Sequence, residues 1–539
     1  MPAIPFEETM PPRPALRPVD APSLRAMLLD QRELALIDLR EELIFSRSHL
    51  LWARSVPLSR LELRFGGLVP RRSTRIVLCD ENDGLVERAA KVLAAAGYSD
   101  LLYLQGGIAA WEKAGFELFS GVNVPSKAFG EHVEHAFRTP SISAEELNGL
   151  MRSGTDMVVL DSRPFDEFQR ISIPSATNVP GAELVLRVHE IAPSPQTLVV
   201  VNCAGRTRSI IGAQSLINAG VPNKVVALRN GTMGWNLAGF ACEKDKQKRA
   251  PNVSGKTLAW AKSAAERVAN RFGIERIGCA TLNRWQAESQ ERTLYLLDVR
   301  DPQEYQAGHV AGAISAPGGQ LVQATDQYVG TLGARIVLID DAEVRAVMTA
   351  SWLRQMGWKD VFVLVETGTD KGWPANPVFG TPPPPASAID SAQLLSLLAK
   401  EKATVIDLSL SREYRKAHIS GAWFAIRARL ARAFGKISLH GEIVLTSDDG
   451  ILAGLAVPEA SALTRLPVRH LKGGNAAWRA AGYPFSSDLR MADEAVDAWL
   501  KPYERSGDTK SAMSEYLSWE TDLLPRIARD GTCNFYNAR

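Results

Sequence analysis

The amino-acid sequence predicts an α/β protein in which one small domain is repeated four times. An apolar segment that ends in aspartate occurs as LALIDLR, MVVLDSR, LYLLDVR and ATVIDLS, which place Asp38, Asp161, Asp298 and Asp407. A glycine-containing turn followed by tryptophan closes each unit, at Trp111, Trp235, Trp373 and Trp478. Repetition at a regular spacing is typical of chains built from copies of one structural unit. Four Asp-to-Trp units therefore predict four domains.

Each unit also has the pattern of a parallel sheet that is covered by helices. A continuous apolar strand follows the Asp segment, and a loop and a helical pattern follow that strand. The four strands are RIVL at 75–78, LVVV at 198–201, RIVL at 335–338 and EIVL at 442–445. Strands without polar alternation are typical of parallel sheets that are buried on both faces. We therefore expect each domain to have a small, mostly parallel central sheet flanked by helices.

Length and composition limit the possible function classes. The 539 residues exceed what one core can hold, and 45% hydrophobic and 23% charged residues are typical of globular proteins. A net charge of +2 argues against nucleic acid or a membrane surface as the main partner. No apolar run has the length of a membrane span, and five widely spaced cysteines indicate a reducing compartment. We therefore expect a cytoplasmic protein.

The predicted boundaries fall where the composition changes. The Pro-rich start predicts a flexible leader, a charged stretch that becomes helical predicts a linker, and the last segment predicts a helical tail. In that tail Ala495, Val496, Trp499 and Leu500 have helical spacing. The predicted segments are a leader at 1–19, domains at 20–120, 141–243, 276–378 and 389–488, a helical linker at 244–275 and the tail at 489–539.

One loop carries the residues of a nucleophilic site. In VNCAGRTRS, residues 201–209, Cys203 follows an apolar strand and precedes a helical pattern. A residue at this place faces the amino end of the helix, where free N–H groups and the helix dipole favour an anion. Arg206 and Arg208 add positive charge, and Gly205 lets the backbone curl around an anion. The loop therefore predicts a Cys203 thiolate that acts on an anionic substrate.

Two other interpretations of this loop are weaker. A structural cysteine would lie in an apolar niche, and two arginines and a glycine within five residues do not form one. A Cys-based phosphatase loop also surrounds an anion, but it has one residue more between Cys and Arg than the four that separate Cys203 from Arg208.

The strand, the segment Cys-Ala-Gly-Arg-Thr-Arg and the following helix resemble the active loop of the rhodanese sulfurtransferases, and the repeated units strengthen the resemblance. The resemblance implies four tandem rhodanese-like domains with one active copy. In that family a cysteine carries a persulfide between a sulfur donor and a thiophilic acceptor, and neither a metal nor an organic cofactor is needed. The resemblance implies that Cys203 is catalytic and that substrate is bound by Ala204, Gly205, Arg206, Thr207, Arg208 and Ser209.

The strand before this loop supplies two supporting residues. Asp161 and Arg163 are expected to form a buried or half-buried ion pair that braces the loop region. The same Asp and Arg recur in copies that lack the cysteine, so we predict a supporting role and not a catalytic one.

The other three copies lack the nucleophile. Aligning the strand ends places Asp80, Asp340 and, within one residue, Asp448 at the position of Cys203, while Cys79 lies one residue early on its strand. A carboxylate cannot carry transferable sulfur, and acidic loops repel an anionic donor. We therefore expect three inactive domains and a structural Cys79.

Two further sets of residues could hold a metal, and each has a plainer explanation. Asp80, Asn82 and Asp83 do not have the spacing of a calcium loop, so solvated loop acids are the preferred interpretation. His132 and His135 lie one helical turn apart without a third ligand, so a surface helix is the preferred interpretation. We predict no metal site.

Four other side chains have open roles. Arg229 precedes the turn before Trp235 and either faces the pocket or is solvated. Cys242, Cys279 and Cys533 have no basic surroundings comparable to those of Cys203, and a resolving thiol among them stays an alternative.

The leading functional hypothesis is transfer of sulfur from thiosulfate to cyanide or a thiol through a Cys203 persulfide. The partners are then a small anionic donor and a thiophilic acceptor, including a protein acceptor, with neither nucleic acid nor membrane. A persulfide or 3-mercaptopyruvate donor is one alternative, although the known mercaptopyruvate loops differ from CAGRTR at most positions. A persulfide relay or redox-sensing scaffold that acts with protein partners is another.

Overall fold

The computed structural model describes residues 16–366, 368–372 and 377–536, and four large sheets within them define four successive α/β domains. The first fifteen residues of the predicted leader, and Trp373 of the third closing signature, lie outside the described residues. The predicted architecture of four α/β domains with a helical C-terminal region is confirmed.

The first domain is built on a mainly parallel sheet. Its strands are β1 (Arg17–Val19), β2 (Leu34–Asp38), β3 (Arg54–Ser55), β4 (Ile76–Cys79) and β5 (Leu101–Leu104). Its helices are α1 (Ala21–Leu29), α2 (Glu42–Phe45), α3 (Leu61–Leu68), α4 (Leu85–Ala95) and α5 (Gly107–Lys113). The order is β1-β5-β4-β2, and β3 also pairs with β2. Helix α6 (Val124–Phe137) leads to the second domain.

The second domain has five parallel strands in the order β6-β10-β9-β7-β8. These strands are β6 (Ser141–Ile142), β7 (Met157–Asp161), β8 (Thr177–Asn178), β9 (Leu198–Asn202) and β10 (Val225–Leu228). Its helices are α7 (Ala144–Arg152), α8 (Phe165–Arg170), α9 (Leu184–Ile191), α10 (Thr207–Ala219) and α11 (Gly231–Leu237). The following α12 (Gly255–Phe272) lies in the predicted helical linker.

The third domain repeats this order. Its strands are β11 (Glu275–Ile277), β12 (Leu294–Asp298), β13 (Ile314–Ser315), β14 (Thr331–Leu332), β15 (Arg335–Ile339) and β16 (Val361–Leu364). Its helices are α13 (Cys279–Ala287), α14 (Pro302–Ala307), α15 (Gly318–Gln323) and α16 (Val344–Gln355). The sheet order is β11-β16-β15-β12-β13, while β14 leaves its own domain and pairs antiparallel with β2 of the first.

The fourth domain has the sheet order β17-β22-β21-β18-β20 and a separate antiparallel pair of β19 and β23. These strands are β17 (Ala388–Ile389), β18 (Ala403–Asp407), β19 (His418–Ile419), β20 (Trp423–Phe424), β21 (Glu442–Thr446), β22 (Val468–Leu471) and β23 (Phe485–Ser486). Its helices are α17 (Ser391–Ala399), α18 (Ser411–Lys416), α19 (Leu430–Phe434), α20 (Ile451–Ser461) and α21 (Gly474–Ala480). The tail then forms α22 (Thr509–Thr521) and α23 (Leu523–Asp530).

The residues that mark the repeats are buried structural groups. The four strand-ending aspartates are completely buried, and in the first three domains each bonds to the guanidinium of the arginine two residues later. The closing tryptophans of the first, second and fourth domains are 1–2% exposed. Each donates its indole N–H to a carbonyl six residues further along the chain. The repeat signatures therefore mark core contacts, through the aspartate in all four domains and through the tryptophan in the first, second and fourth.

The domains do not have fully separate cores. Helices α9, α10, α12 and α16 contribute to one apolar cluster that continues from the second domain into the third. Within it Trp352 donates to the hydroxyl of Ser215 at 2.8 Å. The first and fourth domains are joined by a buried ion pair between Arg427 and Glu62 at 2.7 Å. Burial of these groups fixes the relative positions of the domains.

Both ends of the chain differ in part from the predictions. The leader does not extend to residue 19, because Arg17–Val19 forms β1 and pairs with β5. The helix predicted from the spacing of apolar residues at 495–500 does not form, since residues 491–501 contain no helix. Asp493 and Asp497 there accept backbone N–H groups of the fourth domain, from Ile426 and Ser411. These tertiary hydrogen bonds hold the segment irregular despite its local pattern.

The region at 121–140, which lacks strong periodicity in the sequence, holds α6. Its buried face includes the polar Lys127 and Glu131 beside Phe129 and Val133. Buried charged residues interrupt the apolar pattern by which helices are identified. Among the helices of the described ranges, none combines the length and apolar character that crossing a membrane requires.

We expect Trp478→Ala to lower the free energy of unfolding of the fourth domain by about 3–5 kcal/mol, because the substitution leaves a cavity in the core. Urea denaturation of the full chain measures this loss. Trp478→Phe is the matched control, since it keeps most ring contacts and loses the hydrogen bond to the Pro484 carbonyl. It should cost less than the alanine variant, and equal midpoints for Trp478→Ala and wild type would contradict the prediction.

Candidate functional site

Cys203 follows the carboxyl end of β9, the central strand of the second domain's sheet. The chain runs outward from β7 to β8 and returns to β9 on the other side of β7, so the strand order reverses between β7 and β9. In parallel α/β sheets, ligands bind outside the carboxyl ends of the strands at such a reversal. Residues 203–206 then connect β9 to α10, which begins at Thr207.

The Cys203 side chain is enclosed by its own loop. It is only 2% exposed, and its thiol contacts the hydroxyl of Ser209 at 3.5 Å. Ser209 donates in turn to the carbonyl of Arg206 at 2.8 Å. The predicted nucleophile therefore lies in a loop that is held by its own hydrogen bonds.

A chain of hydrogen bonds connects this loop to the sheet. Asn202 Nδ2 donates to Asp161 Oδ2 at 2.8 Å and to Thr232 Oγ1 at 3.1 Å. Thr232 Oγ1 donates to the carbonyl of Cys203 at 3.0 Å. The expected buried ion pair is present, with Arg163 donating to both oxygens of Asp161 at 2.8 and 2.7 Å. Asn202 and Thr232 complete this network, and no motif in the sequence indicated their role.

Steric constraints explain why the closing signature has glycine at position 231. Gly231 has φ of +54°, and a Cβ atom there would lie 2.4 Å from the Cys203 carbonyl oxygen and 2.7 Å from that of Gly205. The next two N–H groups, of Thr232 and Met233, donate to the carbonyls of Cys203 and Ala204 at 2.8 and 2.9 Å. The start of α11 therefore holds the loop at a distance that only glycine permits.

Arg206 does not present an unpaired charge to the pocket. Its guanidinium donates to both oxygens of Glu131 at 2.7 Å, and also bonds to Glu134 and Asn230. Burial lowers the pKa of Arg206, but the hydrogen bond and charge of Glu131 and the charge of Glu134 raise it above its ordinary value. The positive charge that the sequence predicts at Arg206 is therefore balanced by two glutamates of α6, which the sequence pattern did not indicate.

Arg208 is also paired, but it shares its carboxylate with a second cation. Its guanidinium donates to Glu167 Oε2 at 2.9 Å and to Gln320 Oε1 of the third domain at 2.9 Å. Lys501 of the tail lies 2.8 Å from the other oxygen of Glu167. Burial raises the pKa of Glu167, but Arg208 and Lys501 outweigh it and hold that pKa well below its usual range. The single negative charge of Glu167 is therefore shared by the two positive charges of Arg208 and Lys501.

A cavity of about 230 Å³ opens onto this loop. Its walls come from the second domain, α6, the third domain and the C-terminal tail, and no sequence motif marks the last three as parts of the site. The lining from outside the second domain includes Lys127 and Gln320, and from the tail Trp499, Lys501, Pro502, Tyr503 and Tyr516. The tail has no recognisable motif, so only tertiary packing identifies these residues.

The equivalent loops of two other domains enclose a carboxylate. Asp80 accepts from backbone N–H groups two, five and six residues further along the chain, at 2.8, 3.1 and 3.2 Å. Asp340 accepts from the same three positions at 3.3, 2.8 and 3.4 Å. The corresponding N–H groups of the second domain belong to Gly205, Arg208 and Ser209. We call these three positions the N–H cradle.

In the fourth domain Ser447, and not the predicted Asp448, occupies the position of Cys203, because β21 ends one residue before it. Its hydroxyl accepts from the N–H six residues further on, at 3.2 Å. Cys79 is the last residue of β4 and is fully buried. Burial and the nearby Asp38 charge raise the pKa of the Cys79 thiol well above its ordinary value. It therefore lacks the properties of a nucleophile.

The remaining candidate residues lie elsewhere. His132 of α6 lies against the aromatic rings of Phe129 and Phe535, while His135 is exposed. Arg229 is exposed beside Ser141. Within the described ranges no cluster of metal-ligating side chains occurs. None of Cys242, Cys279 and Cys533 lines the Cys203 cavity.

Glu167 should make the stability of this site depend on pH. Because its folded-state pKa is depressed, its stabilising contribution is present above the ordinary glutamate pKa of about 4.3 and is lost as the pH falls below that value. We expect the stability difference between wild type and Glu167→Gln to shrink as the pH falls below about 4. Urea denaturation at several pH values measures it, with the exposed Glu515→Gln as control. A difference that is independent of pH would contradict the prediction.

Known proteins are similar to this chain over nearly its whole length. The family described as "Rhodanese-like domain" matches residues 20–114, 143–238, 281–371 and 390–481. The crystal structure of thiosulfate sulfurtransferase from Pseudomonas aeruginosa is similar with a TM-score of 0.93 and 47% sequence identity. That similarity covers 97% of this chain and 99% of the other.

Curated relatives match single domains. An uncharacterized protein of Synechocystis sp., slr1261, is 32% identical over 105 residues, or 20% of this chain. The probable adenylyltransferase/sulfurtransferase MoeZ of Mycobacterium tuberculosis is 37% identical over 94 residues, or 17% of this chain. The matches span 58% and 23% of those two proteins. The four family matches and the similarity over 97% of its length show that the chain belongs to the rhodanese family of sulfurtransferases and carries four rhodanese-like domains in tandem.

Proposed function

We propose that this protein transfers sulfane sulfur from thiosulfate to cyanide or a thiol acceptor, with Cys203 as the persulfide carrier. The observation that carries the proposal is the N–H cradle. In two sister domains it holds a carboxylate, whereas in the second domain a thiol begins the same loop. A persulfide on Cys203 would place a sulfur anion where Asp80 and Asp340 place oxygen anions.

In the first step the Cys203 thiolate attacks the outer sulfur of thiosulfate. A new S–S bond forms, the bond between the two sulfur atoms of thiosulfate breaks, and its electron pair leaves with sulfite. The three negative charges of the reactants are then shared between the persulfide and sulfite. The N–H groups of Gly205, Arg208 and Ser209 stabilise the terminal persulfide sulfur by electrostatics that are in place before the reaction.

In the second step the acceptor attacks the terminal sulfur of the persulfide. With cyanide, a carbon–sulfur bond forms, the S–S bond breaks and its electron pair returns to Cys203. The products are thiocyanate and the starting thiolate, so no metal, redox partner or organic cofactor enters the balance. Asp161 and Arg163 act in a supporting role, because the Asn202 and Thr232 links transmit their fixed position to the loop.

The enclosure of Cys203 favours small reactants. With 2% of the residue exposed and tail residues lining the cavity, a protein acceptor would have to displace the tail to reach the sulfur. A persulfide or 3-mercaptopyruvate donor would use the same loop and is the second candidate. Persulfide chemistry requires reduced thiols, so we propose a cytoplasmic location.

We expect Cys203→Ser to abolish thiocyanate formation from thiosulfate and cyanide, since serine cannot carry transferable sulfur. Thiocyanate is measured by colorimetric assay. Mass spectrometry of the thiosulfate-treated wild type should find one added sulfur atom on the Cys203 peptide and none in the variant.

The matched control is Cys279→Ser, because Cys279 is an exposed thiol that does not line the cavity. It should retain full turnover. A Cys203→Ser protein that still turns over, or a wild type that takes up no sulfur from thiosulfate, would overturn the proposed donor and carrier.

A further inference from the structure

Part of the C-terminal tail forms one wall of the Cys203 cavity, and we propose that Lys501 and Tyr503 bind the anionic end of the sulfur donor. The inference rests on the proposed function and assigns donor recognition to residues outside all four rhodanese-like domains. Both side chains line the same cavity as Cys203.

The packing of the tail holds this wall in place. Pro502 is buried, and Met513 and Leu517 of α22 pack with Ala204 of the active loop and Met233. Tyr503 is packed against the same cluster. The segment therefore contacts the catalytic loop directly, which makes it part of the site and not a loosely attached end.

The charges on this wall leave room for an anion. Glu167 is the only carboxylate that forms an ion pair with the side chain of Arg208 or Lys501 in the described part of the chain. Glu504 accepts from the backbone N–H of Lys501 at 3.1 Å, but its own ion pair is with Arg170. Burial lowers the pKa of Lys501, and the nearby positive charge of Arg208 lowers it further, while Glu167 and, less strongly, Glu504 oppose both effects. A bound sulfonate would supply the second negative charge that this pair of cations lacks.

The two other cations that line the cavity, Arg206 and Lys127, are already paired with carboxylates. Glu131 and Glu134 surround Arg206, and buried Glu520 pairs with Lys127 at 2.7 Å. Three carboxylates thus accompany two cations. An anionic donor is repelled from these residues and attracted to the Arg208 side.

Tyr503 supplies a hydrogen-bond donor to that side. In the described structure its hydroxyl forms no hydrogen bond with another residue. The charges of Glu167 and Arg208 lie close enough to interact with it electrostatically. Burial raises the pKa of Tyr503, so the hydroxyl stays protonated and can donate. With the donor's oxygens at Lys501, Tyr503 and Arg208, its outer sulfur is left to face Cys203.

The test measures donor binding and turnover separately in the full chain. Tyr503→Phe removes one hydroxyl and Lys501→Met removes one charge while keeping most of the side-chain volume. Calorimetric titration with thiosulfate, in a Cys203→Ser background, gives the Kd without turnover. Steady-state kinetics with intact Cys203 give the KM for thiosulfate. We expect each variant to raise both constants by about tenfold or more, the usual effect of losing a hydrogen bond to a charged group.

Matched controls and a second readout separate recognition from a structural role. Lys510→Met and Tyr536→Phe change exposed residues of the same tail and should leave both constants unchanged. After loading with saturating thiosulfate, the transfer of sulfur to cyanide should keep its wild-type rate in Tyr503→Phe, because the oxygen-bearing end has left. A dislodged tail would slow this step as well and lower the melting temperature, and that result would overturn a recognition role.

The outcomes also separate this inference from the proposed function. Thiosulfate binding that depends on Lys501 and Tyr503, in a protein whose Cys203 gains no sulfur, would support this inference and overturn the proposed function. Sulfur uptake with Kd and KM unchanged in both variants would do the reverse. Absence of thiosulfate binding in every form would overturn this inference.

Discussion

The N–H cradle at the junction of the central strand and the following helix is the constraint on which the site depends. Backbone N–H groups that converge inside a protein need an acceptor, because leaving them unpaired costs free energy. Asp80 and Asp340 satisfy this need with their own carboxylates, and Ser447 does so in part with its hydroxyl. The second domain begins the same loop with Cys203, whose side chain has no carboxylate to accept the hydrogen bonds of the cradle. In the proposed function its N–H groups receive the sulfur anion of the persulfide.

The surrounding repeat elements keep that cradle rigid. The buried Asp161, Asn202 and Thr232 connect the sheet to the loop carbonyl, and Gly231 lets α11 approach the loop closely. The close approach of glycine recurs in copies without the nucleophile, where Gly107 contacts the carbonyl of Asp80 and Gly474 that of Ser447. The shared architecture therefore maintains the loop shape, and under the proposed function the residue that begins the loop decides whether a domain carries sulfur.

Parts of the chain outside the second domain also contribute to the site. Gln320 of the third domain orients Arg208, α6 neutralises Arg206, and the tail brings Lys501 to Glu167. The apolar cluster that the second and third domains share makes their relative position part of the folded core. A single isolated second domain would lack these walls, which gives a physical reason for retaining the long chain.

The sequence by itself determined the four α/β units, the parallel sheets, the loop of Cys203 and the ion pair of Asp161 and Arg163. These features are local: strand patterns, turn glycines and residues two positions apart interact wherever the chain folds. Tertiary structure alone decided that Arg206 is neutralised, that α6 forms despite its buried charges, and that an irregular tail segment reaches the Cys203 cavity. Those outcomes depend on contacts between residues up to several hundred positions apart, as between Arg170 and Glu504, and no local pattern encodes them. The charge that a substrate meets is therefore a property of the assembled domains.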